Sequence, residues 1–394
     1  MEDSKKDYKS IVSSEAFPGI LLLGTTILAL ILANTELDRY YNYILYDLKI
    51  GEEFNLHVFI NDFLMAIFFL VVGCEIKREI VYGKLSNIKE ASFPVLAAIG
   101  GMLVPALIFT LFNFKSGFEI GAGIPLSTDI AFAIGIFSIL ESKLKFSLKL
   151  FLLTLAVVDD LLSIVIIGVF YSSHIRISGI IISLILIAAL FCVRFFNKRN
   201  RLYPYLILGL ALWIAIFYSG IHSTLSGVIL AFSIPVLHEK DRDKDLSYKI
   251  EHKFEPFSNF VILPLFAFAN AGIALDGFDL SSVFQGVSLA IFLGLVLGKF
   301  FGIFSFTFIA IKMRWVPMPH GATWKTIAGV SALGGIGFTV SLFIANLSYG
   351  DMPGGELLLN QAKMGILLGS LLAGIIGYTL LNLFLPKHLS DEEL

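Results

Sequence analysis

Two adjacent aspartates, Asp159 and Asp160, interrupt the run LKLFLLTLAVVDDLLSIVIIGVFY, which is otherwise apolar or weakly polar and long enough to cross a bilayer. A carboxylate at the centre of a membrane helix costs roughly 2.5 to 3.5 kcal/mol on insertion scales, so intramembrane acids mark ion or proton pathways by default. A carboxylate holds either a hard cation or a proton, and each displaces the other. The pair therefore reads as an ion or proton site, and the chain is not expected to be an enzyme.

A cationic residue lies at similar depth. Lys299 sits mid-span in LGLVLGKFFGIF. A buried ammonium either gives up its proton or finds a carboxylate, so Lys299 is expected to have a partner on another helix. The second intramembrane lysine, Lys363, lies near the outer end of its span and is expected to snorkel to the interface.

Two spans carry breaks beside these groups. In AGIPLSTDIAFAIG, Pro125 removes a backbone donor next to the oxygens of Ser127, Thr128 and Asp129; in SALGGIGFTVS, Gly334, Gly335 and Gly337 fall close together. Paired interruptions in corresponding spans point to a transport site. Each break leaves orphan amides and carbonyls with partial charges. Asp129 is expected near the N-terminal ends and Lys299 near the C-terminal ends, where each compensates the like charges.

The surrounding elements must be membrane helices. Hydrophobic residues make up 57% of the 394 and charged residues 15%, far from the composition of a soluble domain. Cys74 and Cys192 both lie in apolar stretches, so no disulfide framework is indicated, and a net charge of -2 gives no field for binding nucleic acid. A hydropathy window of about 19 residues yields about twelve spans. They lie near 18–34, 58–76, 93–112, 120–140, 149–171, 178–196, 204–219, 221–236, 257–274, 286–311, 323–347 and 357–384.

Residues 1–17 read as a cytoplasmic leader and 35–57 as an external loop, in which YILYDLKIGEEFNLHVF alternates around Gly51 as a β-hairpin would. Basic residues cluster in the leader and in alternate turnarounds, for example Lys77, Arg78, Lys84 and Lys89, or Lys143, Lys145 and Lys149. The opposite loops hold only Arg39, Lys49, Lys115 and Arg176. The positive-inside rule then puts both termini in the cytoplasm. The span triplets 93–171 and 286–384 each carry the break in the middle member and start with opposite orientation, as inverted repeats would. The expected fold is an all-α polytopic membrane protein, one transporter domain over 1–394, with inverted-topology repeats and two discontinuous helices crossing at the membrane centre.

The strings INDFLMAIFFLVVGCEIKREI, PLSTDIAFAIG, LAVVDDLLSI, SGIHSTLSGV, ILPLFAFANAGI and GGIGFTVSLFIA occur in order along the chain, which in them resembles the NhaA family of sodium/proton antiporters. That family is itself a known example of inverted repeats with broken helices, so its architecture is not independent support for them. The resemblance implies a pH-regulated dimer of the inner membrane that exchanges cytoplasmic Na+ or Li+ for external H+ and needs no cofactor. It implies Asp160 as principal cation and proton carrier, Asp159 as partner of Lys299, and Thr128 and Asp129 as the unwound stretch beside the site; since neighbours on a helix do not share a face, Asp160 is expected to face Thr128 and the breaks while Asp159 faces Lys299. It assigns the pH response to Glu75, Arg78, Glu79, Glu251 and His252, against a plain positive-inside anchor for Lys77. Glu255 and Phe257 depart from the family's best-known member, which has histidine and tryptophan there. Asp62 is a further acid, expected along an approach to the site, and His222 matches a family histidine near the outer side.

Two other classes fit parts of the pattern. A sodium-coupled symporter has the same broken helices and differs in transport direction. An intramembrane aspartyl protease needs two aspartates on separate helices sharing a proton, as Asp129 and Asp160 would, but the chain has no GxGD string.

Overall fold

The computed structural model describes residues 16–49, 54–140, 146–171, 176–196, 201–237, 245–274, 285–319, 321–350 and 352–385. Most of the leader, Gly51 and several of the basic turnaround residues, among them Lys143, Lys145, Lys240 and Lys387, lie outside them. The principal helices in chain order are α1 (Phe17–Ala33), α2 (Met65–Val81), α3 (Ile88–Phe112), α4 (Ile130–Ile139), α5 (Phe146–Phe170), α6 (Ile177–Phe196), α7 (Tyr203–Ser219) and α8 (Leu225–Ser233). They continue with α9 (Leu246–Phe257), α10 (Leu263–Asn270), α11 (Gly286–Leu293), α12 (Lys299–Lys312), α13 (Trp324–Leu333), α14 (Phe338–Tyr349) and α15 (Gly355–Phe384).

Each predicted span contains helix. Seven helices among the described residues are long and apolar enough to cross a bilayer, or nine if each bent pair counts as one span. The remaining apolar stretches form shorter helices: α7, the nine-residue α8, and the run from Ser258 through α10. Outward residues such as Leu111, Ile185 and Phe196 stay largely exposed, which only a hydrocarbon surround makes favourable.

Between α1 and α2 the turn of the expected hairpin, around Gly51, lies outside the described residues. Asp38–Asn42 is α-helical and Tyr43–Asp47 is a π-helical turn, leaving one isolated antiparallel bridge between Lys49 and Asn55. A two-stranded ribbon has no face to bury, so its alternating pattern does not secure strands. Tyr41 instead anchors the loop, donating its hydroxyl to the Phe268 carbonyl at 2.6 Å.

The chain divides into two compact units. One comprises residues 1–34, 92–159 and 270–394, the other 35–91 and 160–269. In the first, α15 packs along α11, α13 and α14, and α1 lies on α4. Here α3 and α12 approach closely because Gly100 faces Gly302: a Cβ on either would collide with the other's carbonyl. In the second unit, α8 and α9 pack on α2, and α6 on α7. Its core joins Leu70, Cys74, Leu212, Ile216, Leu230 and Ile250. A Cβ on Gly227 would strike the Ala66 carbonyl, so this glycine sets the tight approach of α8 to α2.

Candidate cation and proton site

The two sequence breaks are real and meet one another. Glu119–Leu126 is a 3-10 helix in which Pro125 leaves helical geometry, at φ -83° and ψ 20°. Ser127 and Asp129 are extended, and α4 starts at Ile130. The second break runs from Gly334 to Gly337 between α13 and α14, whose axes differ by 44°. The extended strand of one break fills the gap of the other. The Asp129 amide donates to the Ile336 carbonyl at 2.5 Å, and the Ser341 hydroxyl donates to the Ile124 carbonyl at 2.6 Å. Side chains at Gly335 and Gly337 would run into Leu295 and the Ser127 carbonyl, so the crossing requires glycine there.

Asp129 serves two helix starts. Its Oδ1 accepts the Phe132 amide at 3.2 Å, capping α4, while Oδ2 accepts the Thr339 amide at 3.0 Å and the Thr339 hydroxyl at 2.7 Å, at the first turn of α14. These bonds put the Asp129 carboxylate at the N-terminal ends of α4 and α14. Thr339 was not singled out from sequence. Its signal is position: a hydroxyl in the first turn after a glycine break.

Lys299 follows a π-helical turn at Gly294–Gly298, where Gly298 packs flat against Pro105. Such widened turns recur at functional sites. Its ammonium lies 2.5 Å from Asp159 Oδ2 and 3.2 Å from the Thr128 hydroxyl, with both side chains of the ion pair fully buried. Thr128 Oγ1 is also 2.6 Å from Asp159 Oδ2 and 2.9 Å from the Gly334 carbonyl. One hydroxyl hydrogen serves only one of those two acceptors at a time. Asp159 Oδ1 has no hydrogen-bond partner among the described residues.

Two expectations change here. Thr128 turns to Asp159 rather than Asp160, because the extended backbone of the break delivers its hydroxyl to the Lys299 side of α5. Lys299 approaches the break through Thr128, whose hydroxyl also stands at the Gly334 carbonyl. Asp160 is buried, 4% exposed, and as the next residue along α5 points to another face from Asp159. Lys363 does not snorkel. It is buried and donates to the Gly272 carbonyl at 3.1 Å, an acceptor just beyond the end of α10 that keeps its charge inside the bundle.

The second unit gathers part of the expected pH-response set. Arg78 grips Glu251 with both ends of its guanidinium, at 2.9 Å and 2.6 Å. Burial pushes the Glu251 carboxyl above the usual carboxylate range, although Arg78 opposes it. Glu75 and Glu79 flank Arg78 on α2, with Glu79 accepting the Lys84 amide at 2.9 Å. His252 is exposed and stacks on Tyr248 with ring centroids 5.4 Å apart. Asp62 accepts a short hydrogen bond from the Ser223 hydroxyl. Lys77 is no surface anchor: it is buried, and its ammonium donates to the carbonyls of Ala231, Phe232 and Ile234 at the C-terminal end of α8. Its sequence signal was a lysine one turn inside a charged helix end, facing the apolar side.

Comparison with known proteins agrees along the chain. Residues 9–381 match the family described as Na+/H+ antiporter 1. Proteins named Na(+)/H(+) antiporter NhaA are 45% identical to it: that of Shewanella sp. strain ANA-3 over 97% of this chain and 99% of its own length, and that of Shewanella amazonensis over 97% and 98%. The protein of that name from Shewanella oneidensis is also 45% identical, over 97% of this chain and 99% of its own.

Proposed function

The chain belongs to the Na+/H+ antiporter 1 family, and from that premise we propose that it exchanges cytoplasmic Na+ or Li+ for external H+ across the inner membrane. Asp160 is the principal carrier and Asp159 its charge-balanced neighbour. The observation that carries this reading is the state of the pair: two consecutive buried carboxylates, of which one already has the Lys299 ammonium at 2.5 Å. Two adjacent carboxylates are hard to ionise together in a low-dielectric interior, so the second holds a proton or takes a cation. Competition for that carboxylate couples the two fluxes.

The remaining parts have matching roles. The crossed breaks supply oxygens and helix ends at membrane depth, with Asp129 holding both helix starts and Thr128 tying the crossing to the Asp159 and Lys299 pair. Spans 93–171 and 286–384 act as inverted repeats around the crossing. Glu75, Arg78, Glu79, Glu251 and His252 set the pH response, with the Arg78 and Glu251 pair at its centre. Both termini are cytoplasmic, and two copies form a homodimer.

Sodium-driven proton flux in everted vesicles, followed across pH, tests the reading. The parent protein should move protons against the sodium gradient, and Asp160→Asn should abolish that movement at every pH. Co-directional movement assigns the chain to symport, and exchange persisting in Asp160→Asn removes the carrier assignment.

A further inference from the structure

Ser163 lies three residues beyond Asp160 on α5. Residues at that spacing are neighbours on one helix face, with Cβ atoms roughly 5–6 Å apart. The Ser163 side chain is 1% exposed, yet its hydroxyl has no hydrogen-bond partner among the described residues. Ser247, Ser288 and Thr307 share this state among the described residues, whereas six other buried helix hydroxyls do not. Thr26, Thr154, Ser183, Ser233, Ser331 and Ser348 each donate to the carbonyl four residues back on their own helix. Ser163 forgoes that bond, and an unpaired hydroxyl is costly to bury.

We propose that the Ser163 hydroxyl oxygen is a ligand of the transported alkali cation, beside the Asp160 carboxylate. The inference rests on the assignment of Asp160 as carrier and deepens it. A hard cation is held by several oxygens at once, whereas a proton needs a single carboxylate oxygen. A neutral hydroxyl with two lone pairs therefore adds to cation affinity without adding charge, and it tilts the competition at Asp160 toward the cation. Its own hydrogen is left to point away from the ion.

The test is the sodium and lithium dependence of proton flux in proteoliposomes of the full-length protein. Ser163→Ala and Ser163→Cys should each raise the KM for Na+ about tenfold, as expected for the loss of one modest ligand. The maximal rate should stay within about a factor of two, because KM alone reports lost ground-state binding. Ser163→Cys keeps the size of the side chain but offers sulfur, a poor ligand for a hard cation. Ser163→Thr keeps the hydroxyl and should keep the parental KM. If Ser163→Ala does not accumulate in the membrane, the Cys and Thr pair carries the comparison. Parental KM values for both Na+ and Li+ in the Ala or Cys variant would overturn the proposal, as would an equal loss in the Thr variant, which indicates packing. Asp160→Asn measured in parallel separates the two ideas: exchange that survives it defeats the carrier reading, whatever Ser163 does.

Discussion

The ammonium of Lys299 and the Oδ2 atom of Asp159 stand 2.5 Å apart, 140 residues distant in sequence and both wholly buried. Neither charge is tolerable there alone. Removing one partner of a buried ion pair typically costs about 3–5 kcal/mol, because the other is left uncompensated.

Lys299→Ala should therefore lower the thermal unfolding midpoint of the purified protein markedly, and Lys299→Ala with Asp159→Asn should recover most of the loss. A double variant no more stable than the single one would show that the lysine acts through packing along α12 rather than through charge.

Asp129 holds the starts of α4 and α14 together through three hydrogen bonds. Loss of a helix cap costs about 0.5–2 kcal/mol, so Asp129→Ala should cost roughly 1–4 kcal/mol across two helices. Asp129→Asn retains acceptor capacity and should cost clearly less. Equal midpoints for the two variants in detergent would contradict the double-capping role.

Lys77 supplies the donors for the end of α8, where Ala231, Phe232 and Ile234 leave carbonyls without helical partners. Lys77→Met keeps the apolar stem and removes those donors, which should destabilise by about 1–3 kcal/mol. Hydrogen exchange should rise first in residues 225–233, while α13 and α15 stay as protected as in the parent. Unchanged protection of α8 would refute the assignment.

Glu251 carries a pH signature of known sign. Burial raises its folded-state pKa above the ordinary value of about 4.3. The folded protein then binds this proton more tightly than the unfolded chain, so the contribution to stability is full below the unfolded pKa. It declines as pH rises through the raised value. Glu251→Gln should remove that decline, so the difference in unfolding midpoint between parent and variant should change across this window and be constant above it. A difference that is flat throughout acid pH would rule out the raised pKa. The same variant should alter the pH profile of exchange if the pair with Arg78 governs the response.

Much of the architecture was legible because transfer to a membrane is additive over a short window. Apolar runs, basic turnarounds, Pro125 and the glycines at 334, 335 and 337 each announce themselves within a few residues. The loop before α2 was less legible: its alternation is local, but whether strands form depends on a face to bury, and Tyr43–Asp47 coils into a π-helical turn while Lys49 and Asn55 form an isolated bridge. Lys363 misled, since position in a span does not reveal a carbonyl waiting beyond the end of another helix.

By itself, the sequence determined that this is a polytopic membrane protein with costly carboxylates in α5 and breaks in two other spans, because burial cost and backbone disruption belong to the residues concerned. Only the tertiary structure decided the partnerships. Thr128 went to Asp159, Asp129 capped a helix 210 residues away, and Arg78 met Glu251 across 173. Each buried polar group must be satisfied, but which partner satisfies it depends on helices whose packing no local window contains.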